Sequence, residues 1–230
     1  MPRLPLPRGG ARPPTLLRPA PFAPDPAASV LPILTYPSPA LRARCAPFPP
    51  PPPPSAAAAL LRDLRATLHA RRGLGLAAPQ VGALLRAFVV RTPLGWTAAE
   101  AARARAGEAP PPRAQSPFFT TCVNPRIVER SEDKALGVES CLSLEGEALL
   151  VRRAAKITAE WEEGGAGQAA ATVRAVMDGL PAVVFQHELD HLDGVLIVDR
   201  EVKVAEREED AAFGQAEEHF RRALRRFYTT

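Results

Sequence analysis

Histidine, cysteine, tryptophan, tyrosine and methionine are all scarce in this 230-residue chain, with four His, three Cys and two of each of the others. Scarcity makes each placement informative. Cys45, Cys122 and Cys141 are odd in number, widely spaced and form no Cys-x-x-Cys pair. That pattern excludes a disulfide framework and fits a reducing compartment. No apolar run approaches the roughly eighteen residues of a membrane span, so a soluble protein is expected. Acidic residues are absent before Asp25. Of the formal charge of +4, +3 falls in the first thirty residues, where Arg3, Arg8, Arg12 and Arg18 face only Asp25. The near-neutral remainder is a poor electrostatic footprint for a nucleic-acid binder, so sequence-specific recognition is not expected.

What the chain does have is apolar content, 46%, enough to bury a core. Nineteen of its 27 prolines fall in the first 54 residues, so regular structure is not expected there. Three parts follow: an extension over 1–28, disordered or targeting; a folded domain over 29–203; and a C-terminal helix over 204–230. The Arg-rich, acid-poor start resembles an organelle-targeting segment, although serine is missing and proline would break a presequence helix. Residues 30–36 read as an edge strand or extended arm, given Pro32. The proline run at 49–54 reads as a stiff connector.

Ser55 opens a helix with Leu60, Leu61, Leu64 and Leu68 at helical spacing, and Gly73 suits its stop. That stripe is core packing. The segment Gly73-Leu-Gly-Leu-Ala-Ala-Pro-Gln80 implies a backbone that something approaches closely. Strands are expected at 87–91, 118–123, 126–130, 149–151, 156–162 and 171–176, with Asn124-Pro125 and Gly164-Gly165 as turns. A loop insertion covers 92–117, with a short helix near 98–105. The C-terminal helix, at about 204–228, is acidic at its start and ends in Arg221, Arg222, Arg225 and Arg226. This polarity complements the helix dipole, and the basic end could also meet an RNA surface.

The most informative stretch is Phe185 to Asp193, which contains His187-Glu188-Leu189-Asp190-His191. Residues four apart on a helix share a face, so His187 and His191 can aim at one ion while Glu188 stands beside it. Asp178 can cap this helix, and Leu180, Val183 and Val184 continue its face. Two histidines do not hold a catalytic metal, and a third protein ligand is required. A metzincin-type third His fails, because Gly194 is correctly placed but the final position is Ile197. A thermolysin-type Glu could be Glu206, Glu208 or Glu217. The remaining source is Cys141, whose thiolate suits Zn or Fe(II).

Gly73-Leu-Gly-Leu-Ala-Ala-Pro-Gln80, Glu139-Ser-Cys-Leu-Ser143 and Gln186-His-Glu-Leu-Asp-His191 resemble, in order, the three motifs of the peptide deformylases. The resemblance covers about 30–199. It implies an α+β fold, with antiparallel β-sheets packed around a central metal-binding helix. It also implies hydrolytic removal of the formyl group from the N-terminal N-formylmethionine of nascent polypeptides. The implied cofactor is one divalent ion, Fe(II), with Zn(II) as a substitute, held by Cys141, His187 and His191. Glu188 is then the general base, and the Gln80 amide and Leu142 N–H face the oxyanion. The methionine side chain would lie against Leu74, Leu180, Val183, Val184 and the His187 ring, with Gly75 and Gly137 beside the peptide backbone. Two departures stand out. Ser140 replaces the usual glycine, which would be strained if the position needs φ > 0. The Arg that normally pairs with the motif Glu falls at Ala148, leaving Glu139 without that partner.

The family's link to bacterial-type translation implies an organelle (mitochondrion or plastid) or the bacterial cytoplasm. It also leaves room for a ribosome contact through the basic C-terminal helix. Two other readings are a thermolysin-like metallopeptidase and a non-enzymatic ribosome-associated protein that has kept the fold.

Overall fold

The computed structural model describes residues 25–50, 55–91, 119–163 and 171–202, together with Gly214, Gln215 and Glu218. The leucine stripe forms helix α1 (Ser55–Arg71) and the His-Glu-x-x-His segment forms helix α2 (Gly179–Leu192). Between them come β1 (Gly75–Ala77), β2 (Ala87–Arg91), β3 (Phe119–Arg130), β4 (Lys134–Cys141), β5 (Leu144–Ala154), β6 (Lys156–Glu163) and β7 (Ala171–Asp178). Among the described residues the strands form two antiparallel sheets. One is five-stranded, ordered β1-β2-β3-β6-β7, and the other is the β4-β5 hairpin. This is the expected α+β arrangement. No helix among the described residues is long and apolar enough to cross a membrane.

Strand β2 shows how the sheet sits between the helices. Successive side chains on a strand point to opposite faces, yet Ala87, Phe88, Val89 and Val90 are all buried. Phe88 and Val90 join a core cluster with Val184, Phe185, Leu189 and Leu192 of α2. Ala87 and Val89 join a second cluster with Leu61, Leu64 and Leu68 of α1. With a helix on each face, the strand reads as an unbroken apolar run. The Phe88 and Phe185 rings meet edge to face at 5.1 Å, a favourable aromatic geometry.

Three expectations change, and one of two alternatives is selected. The strands expected at 118–123 and 126–130 are one, Phe119–Arg130, with Asn124 as a bulge at φ 47° in place of a turn. The Asn124 amide explains this: its Oδ1 accepts from the Phe48 N–H, and its Nδ2 donates to the Phe48 carbonyl and to Glu162. The left-handed residue after α1 is Arg72 (φ 55°), ahead of Gly73. Asp178 sits at the N-cap of α2 but makes no side-chain capping bond. Residues 30–36 take the extended-arm form, with no strand assigned to them. Leu34 N–H donates to the Gln80 carbonyl and Tyr36 N–H to the Ser143 carbonyl, so the arm ties together two loops of the candidate site.

The sequence also understates the β4-β5 hairpin, since it places a strand at 149–151 and none over 134–141. The prolines at 51–54, the insertion at 92–117 with its short helix, and the Gly164-Gly165 turn lie outside the described residues. So does most of the 204–228 helix, of which Gly214, Gln215 and Glu218 are helical.

Gly194 follows α2 with φ 73°, and a methyl group there would overlap the Arg42 carbonyl oxygen, with its carbon at 2.8 Å. Both the left-handed backbone and the close approach require glycine. Gly194→Ala is therefore expected to lower stability by about 1–3 kcal/mol, read as an earlier urea midpoint at unchanged slope.

Candidate active site

The structure brings Cys141, His187 and His191 together: one donor atom from each lies within 4.8 Å of the others. Helix α2 supplies the histidines one turn apart, with ring centroids 5.0 Å apart. Cys141 ends β4 at the two-residue turn into β5, where the hairpin register shifts after Ser140. Its Sγ lies 3.3 Å from His191 Nε2. His187 Nδ1 donates to Glu139 Oε2 at 2.8 Å, which leaves Nε2 as its free ligand atom. A carboxylate that orients a ligating imidazole in this way is a common feature of metal sites. One thiolate and two imidazoles fit Zn or Fe(II), with a coordination position left for water.

Glu139 does have a charge partner, contrary to the expectation drawn from Ala148. Arg153 forms a fork on it, Nε to Oε1 at 2.6 Å and Nη2 to Oε2 at 2.9 Å, and both side chains are buried. The register accounts for this. Ala135 pairs with Arg153 and Glu139 with Leu149, so both charged side chains lie on one face of the hairpin. Arg153 also donates to Asp190 Oδ2 at 2.6 Å, and Asp190 takes a second guanidinium from Arg200. Sequence reasoning passed over Arg153, Asp190 and Arg200. Asp190 stood inside the quoted motif, and Arg153 needed the register to be known.

Burial opposes the charge on Glu139, but the bonds from Arg153 and His187 outweigh it and bring its pKa down to about 2. Burial likewise works against charging His187, and its contacts with Cys141 and Glu139 more than reverse that, raising its pKa. Burial, joined by the neighbouring positive charges of His187 and Arg153, drives the pKa of His191 well below the ordinary value.

Glu188 is 3% exposed, and its Oε2 has no hydrogen-bond partner. Burial, aided by the charge of Glu139 and opposed by His187 and Arg153, raises its pKa to about 7. Gly75 on the edge strand β1 makes room for it: a methyl at that position would overlap Oε1 and stand 2.6 Å from Cδ. The close approach inferred for the Gly73–Gln80 segment is thus made by Glu188 itself. Gly75→Ala is expected to lower formate release at least tenfold with little change in melting temperature. A variant of normal activity would show that the Glu188 position is not critical.

Gln80 lies in a 3₁₀ turn (Ala78–Val81) after β1. Its Oε1 accepts from the Ala77 N–H at 2.8 Å, and its Nε2 reaches Ser143 Oγ at 3.1 Å and Cys141 Sγ at 3.6 Å. The side-chain amide is therefore held beside the metal-ligand cluster. Leu142 is the next residue after Cys141, and its Cδ1 lies near Gly73. Ser140 is exposed and is not a strained replacement, since Arg72 and Asn124 are the described non-glycine residues with positive φ.

The apolar residues divide. Leu180 and Val184 are buried in the core cluster, Leu74 packs half-buried against it, and Val183 is half-buried. Nothing lies within 4 Å of a methyl built on Gly137, so no close approach requires glycine there.

A His-Glu-x-x-His helix with its third donor on a neighbouring hairpin defines the site of a metal-dependent hydrolase. The family model described as polypeptide deformylase matches residues 30–207. Peptide deformylase 3 of Streptomyces avermitilis is 38% identical over 172 residues, covering 74% of this chain and 70% of its own. The peptide deformylase of Thermomicrobium roseum is 39% identical over 141 residues, covering 61% of this chain and 69% of its own. A Met-Ala-Ser-bound class I type b peptide deformylase from Acinetobacter baumannii superposes with a TM-score of 0.59 at 30% identity, over 75% of this chain and 99% of that one. The enzyme from Thermotoga maritima superposes with a TM-score of 0.60 at 27% identity, over 76% and 99%.

The chain belongs to the peptide deformylase family, enzymes that remove the formyl group from N-terminal methionine. Membership sets the thermolysin-like reading aside, and Cys141 stands where that reading needed a glutamate. Its candidates Glu206, Glu208 and Glu217 lie outside the described residues.

Proposed function

We propose that Cys141, His187 and His191 hold one Fe(II) ion, with Zn(II) as a substitute, and that Glu188 moves the protons of formyl-methionine hydrolysis. The observation that carries this reading is the convergence of one sulfur and two imidazoles beside a buried, unpaired carboxylate. A bound metal of this kind acidifies water and polarises a carbonyl oxygen.

Glu188 takes a proton from water as hydroxide adds to the formyl carbon. The Gln80 side-chain amide and the Leu142 N–H donate to the oxygen that gains negative charge. The C–N bond then breaks, Glu188 returns its proton to the departing amine, and formate leaves. Glu139 holds the His187 ring through its Nδ1, so that Nε2 faces the ligand cluster. Leu74, Leu180, Val183, Val184 and the His187 ring would receive the methionine side chain, an apolar surface suited to a thioether. Gly75 and Gly137 would flank the peptide backbone.

The catalytic unit in this reading is 29–203, with extensions at 1–28 and 204–230. The bacterial Streptomyces relatives favour a bacterial cytoplasm over an organelle, and N-terminal sequencing of the mature protein would distinguish a retained arm from a removed address. Arg221, Arg222, Arg225 and Arg226 are the residues offered for a ribosome contact, which co-sedimentation of wild type and an Arg→Glu variant would test. The functional test is formate release from formyl-Met-Ala-Ser by protein loaded with reduced Fe(II) under anaerobic conditions. Turnover is expected, and its absence in a metal-loaded, folded protein would contradict the assignment.

A further inference from the structure

Beside α2, and apart from Cys141, His187, His191 and Glu188, lies a cavity of about 430 Å³. Its size falls within the usual range of small-molecule sites. Five cationic residues line it: Arg130, Lys134, Arg152, Arg153 and Arg200. The two carboxylates in its wall are already engaged, Asp190 by Arg153 and Arg200, and Asp193 by Arg86. Arg153 is likewise committed, to Glu139 and Asp190. The side chains of Arg130, Lys134 and Arg152 make no hydrogen bond or ion pair among the described residues. The cavity thus carries an excess of positive charge with three cations available.

The remaining wall is apolar or already satisfied. Ile127, Leu189 and Val195 contribute aliphatic surface. Gln186 bonds the backbone of Ala154 and Ala182 through both ends of its amide. A ligand matching this lining combines a multiply charged oxyanion with an apolar or ring-shaped body. Guanidinium groups suit phosphate oxygens in particular, because their planar N–H pairs match the oxyanion geometry.

We propose that this cavity binds a small phosphorylated molecule. Its phosphate would rest on Arg130, Lys134 and Arg152, and its body on Ile127, Leu189 and Val195. The cavity is spatially distinct from the candidate active site, since the metal-ligand residues and Glu188 do not line it.

The test is calorimetric titration of the metal-loaded, full-length protein with AMP, with the active site saturated by the product peptide Met-Ala-Ser. Adenosine and a uridylate decamer serve as comparison ligands. AMP is expected to bind one to one, and adenosine at least tenfold more weakly. The variant Arg130→Gln/Lys134→Gln/Arg152→Gln is expected to lose at least tenfold in AMP affinity while releasing formate at the wild-type rate, which shows that it is folded. No AMP binding by the wild type, binding abolished by Met-Ala-Ser, or equal binding by the variant would overturn the proposal. Binding of the decamer but not of AMP, lost in the same variant, would assign the cations to a polynucleotide backbone and overturn the small-molecule reading.

Discussion

Glu188→Gln retains its metal and releases formate about 10²–10⁴-fold more slowly than the wild type. The amide keeps the shape of the carboxylate beside Gly75 and leaves Cys141, His187 and His191 untouched, so the loss falls on proton transfer. A carboxylate suits that task when its pKa lies near the working pH, and burial holds that of Glu188 at about 7. The same burial makes the residue costly to the fold. A carboxyl group with a raised folded pKa favours folding below its unfolded value, near 4.5. That contribution is lost as pH rises through the folded value near 7. Metal-free Glu188→Gln should therefore be more stable than metal-free wild type at pH 8, by up to about 3 kcal/mol, and equal to it below pH 4.5. Steady-state kinetics, metal analysis and urea unfolding at the two pH values check all three parts. Full activity would remove Glu188 from the mechanism, and a pH-independent stability difference would remove the burial argument.

The second large effect is structural. Arg153→Met should destabilise the protein by about 3–5 kcal/mol, because it leaves Glu139 buried with its main counter-charge gone. In the wild type, Glu139 has a pKa depressed to about 2 from an ordinary 4.5. Its stabilising contribution is therefore present above pH 4.5 and lost as pH falls toward 2. Without Arg153 that carboxyl pKa rises, so acid unfolding of the variant begins at higher pH. Adding Glu139→Gln to Arg153→Met should recover part of the loss, since the stranded charge is then gone. Urea and acid titrations of the wild type, both single variants and the double variant measure the coupling. A loss below about 1 kcal/mol, or strict additivity, would show that the pair is not coupled.

The His-Glu-x-x-His spacing, the Leu stripe of α1 and the apolar run of β2 could be read directly, because each depends on local periodicity. Cys141 was one of several candidate third ligands, and the resemblance of its Glu-Ser-Cys-Leu-Ser motif selected it. Arg153 could not be found in that way. Its link to Glu139 depends on the β4-β5 register, and the sequence offered no strand over 134–141 from which to set it. The Asn124-Pro125 pair misled for a related reason: its local chemistry is that of a turn, but contacts with Phe48 and Glu162 hold it as a bulge within one strand. Gly75 was recognised as a point of close approach, but the approaching group, Glu188, is 113 positions away in sequence. Local pattern thus revealed the elements and the ligands. The supporting shell follows from strand pairing, which no single segment encodes.

Cobalt substitution tests the central assignment most directly, because a thiolate bound to Co(II) gives a near-ultraviolet charge-transfer band. The account predicts one Co(II) per chain with that band in the wild type. It predicts the band unchanged in Cys45→Ala and Cys122→Ala, and lost in Cys141→Ala. A band that survives Cys141→Ala, or a wild-type protein that binds Co(II) without one, would contradict a metal held jointly by that sulfur and the two histidines of α2.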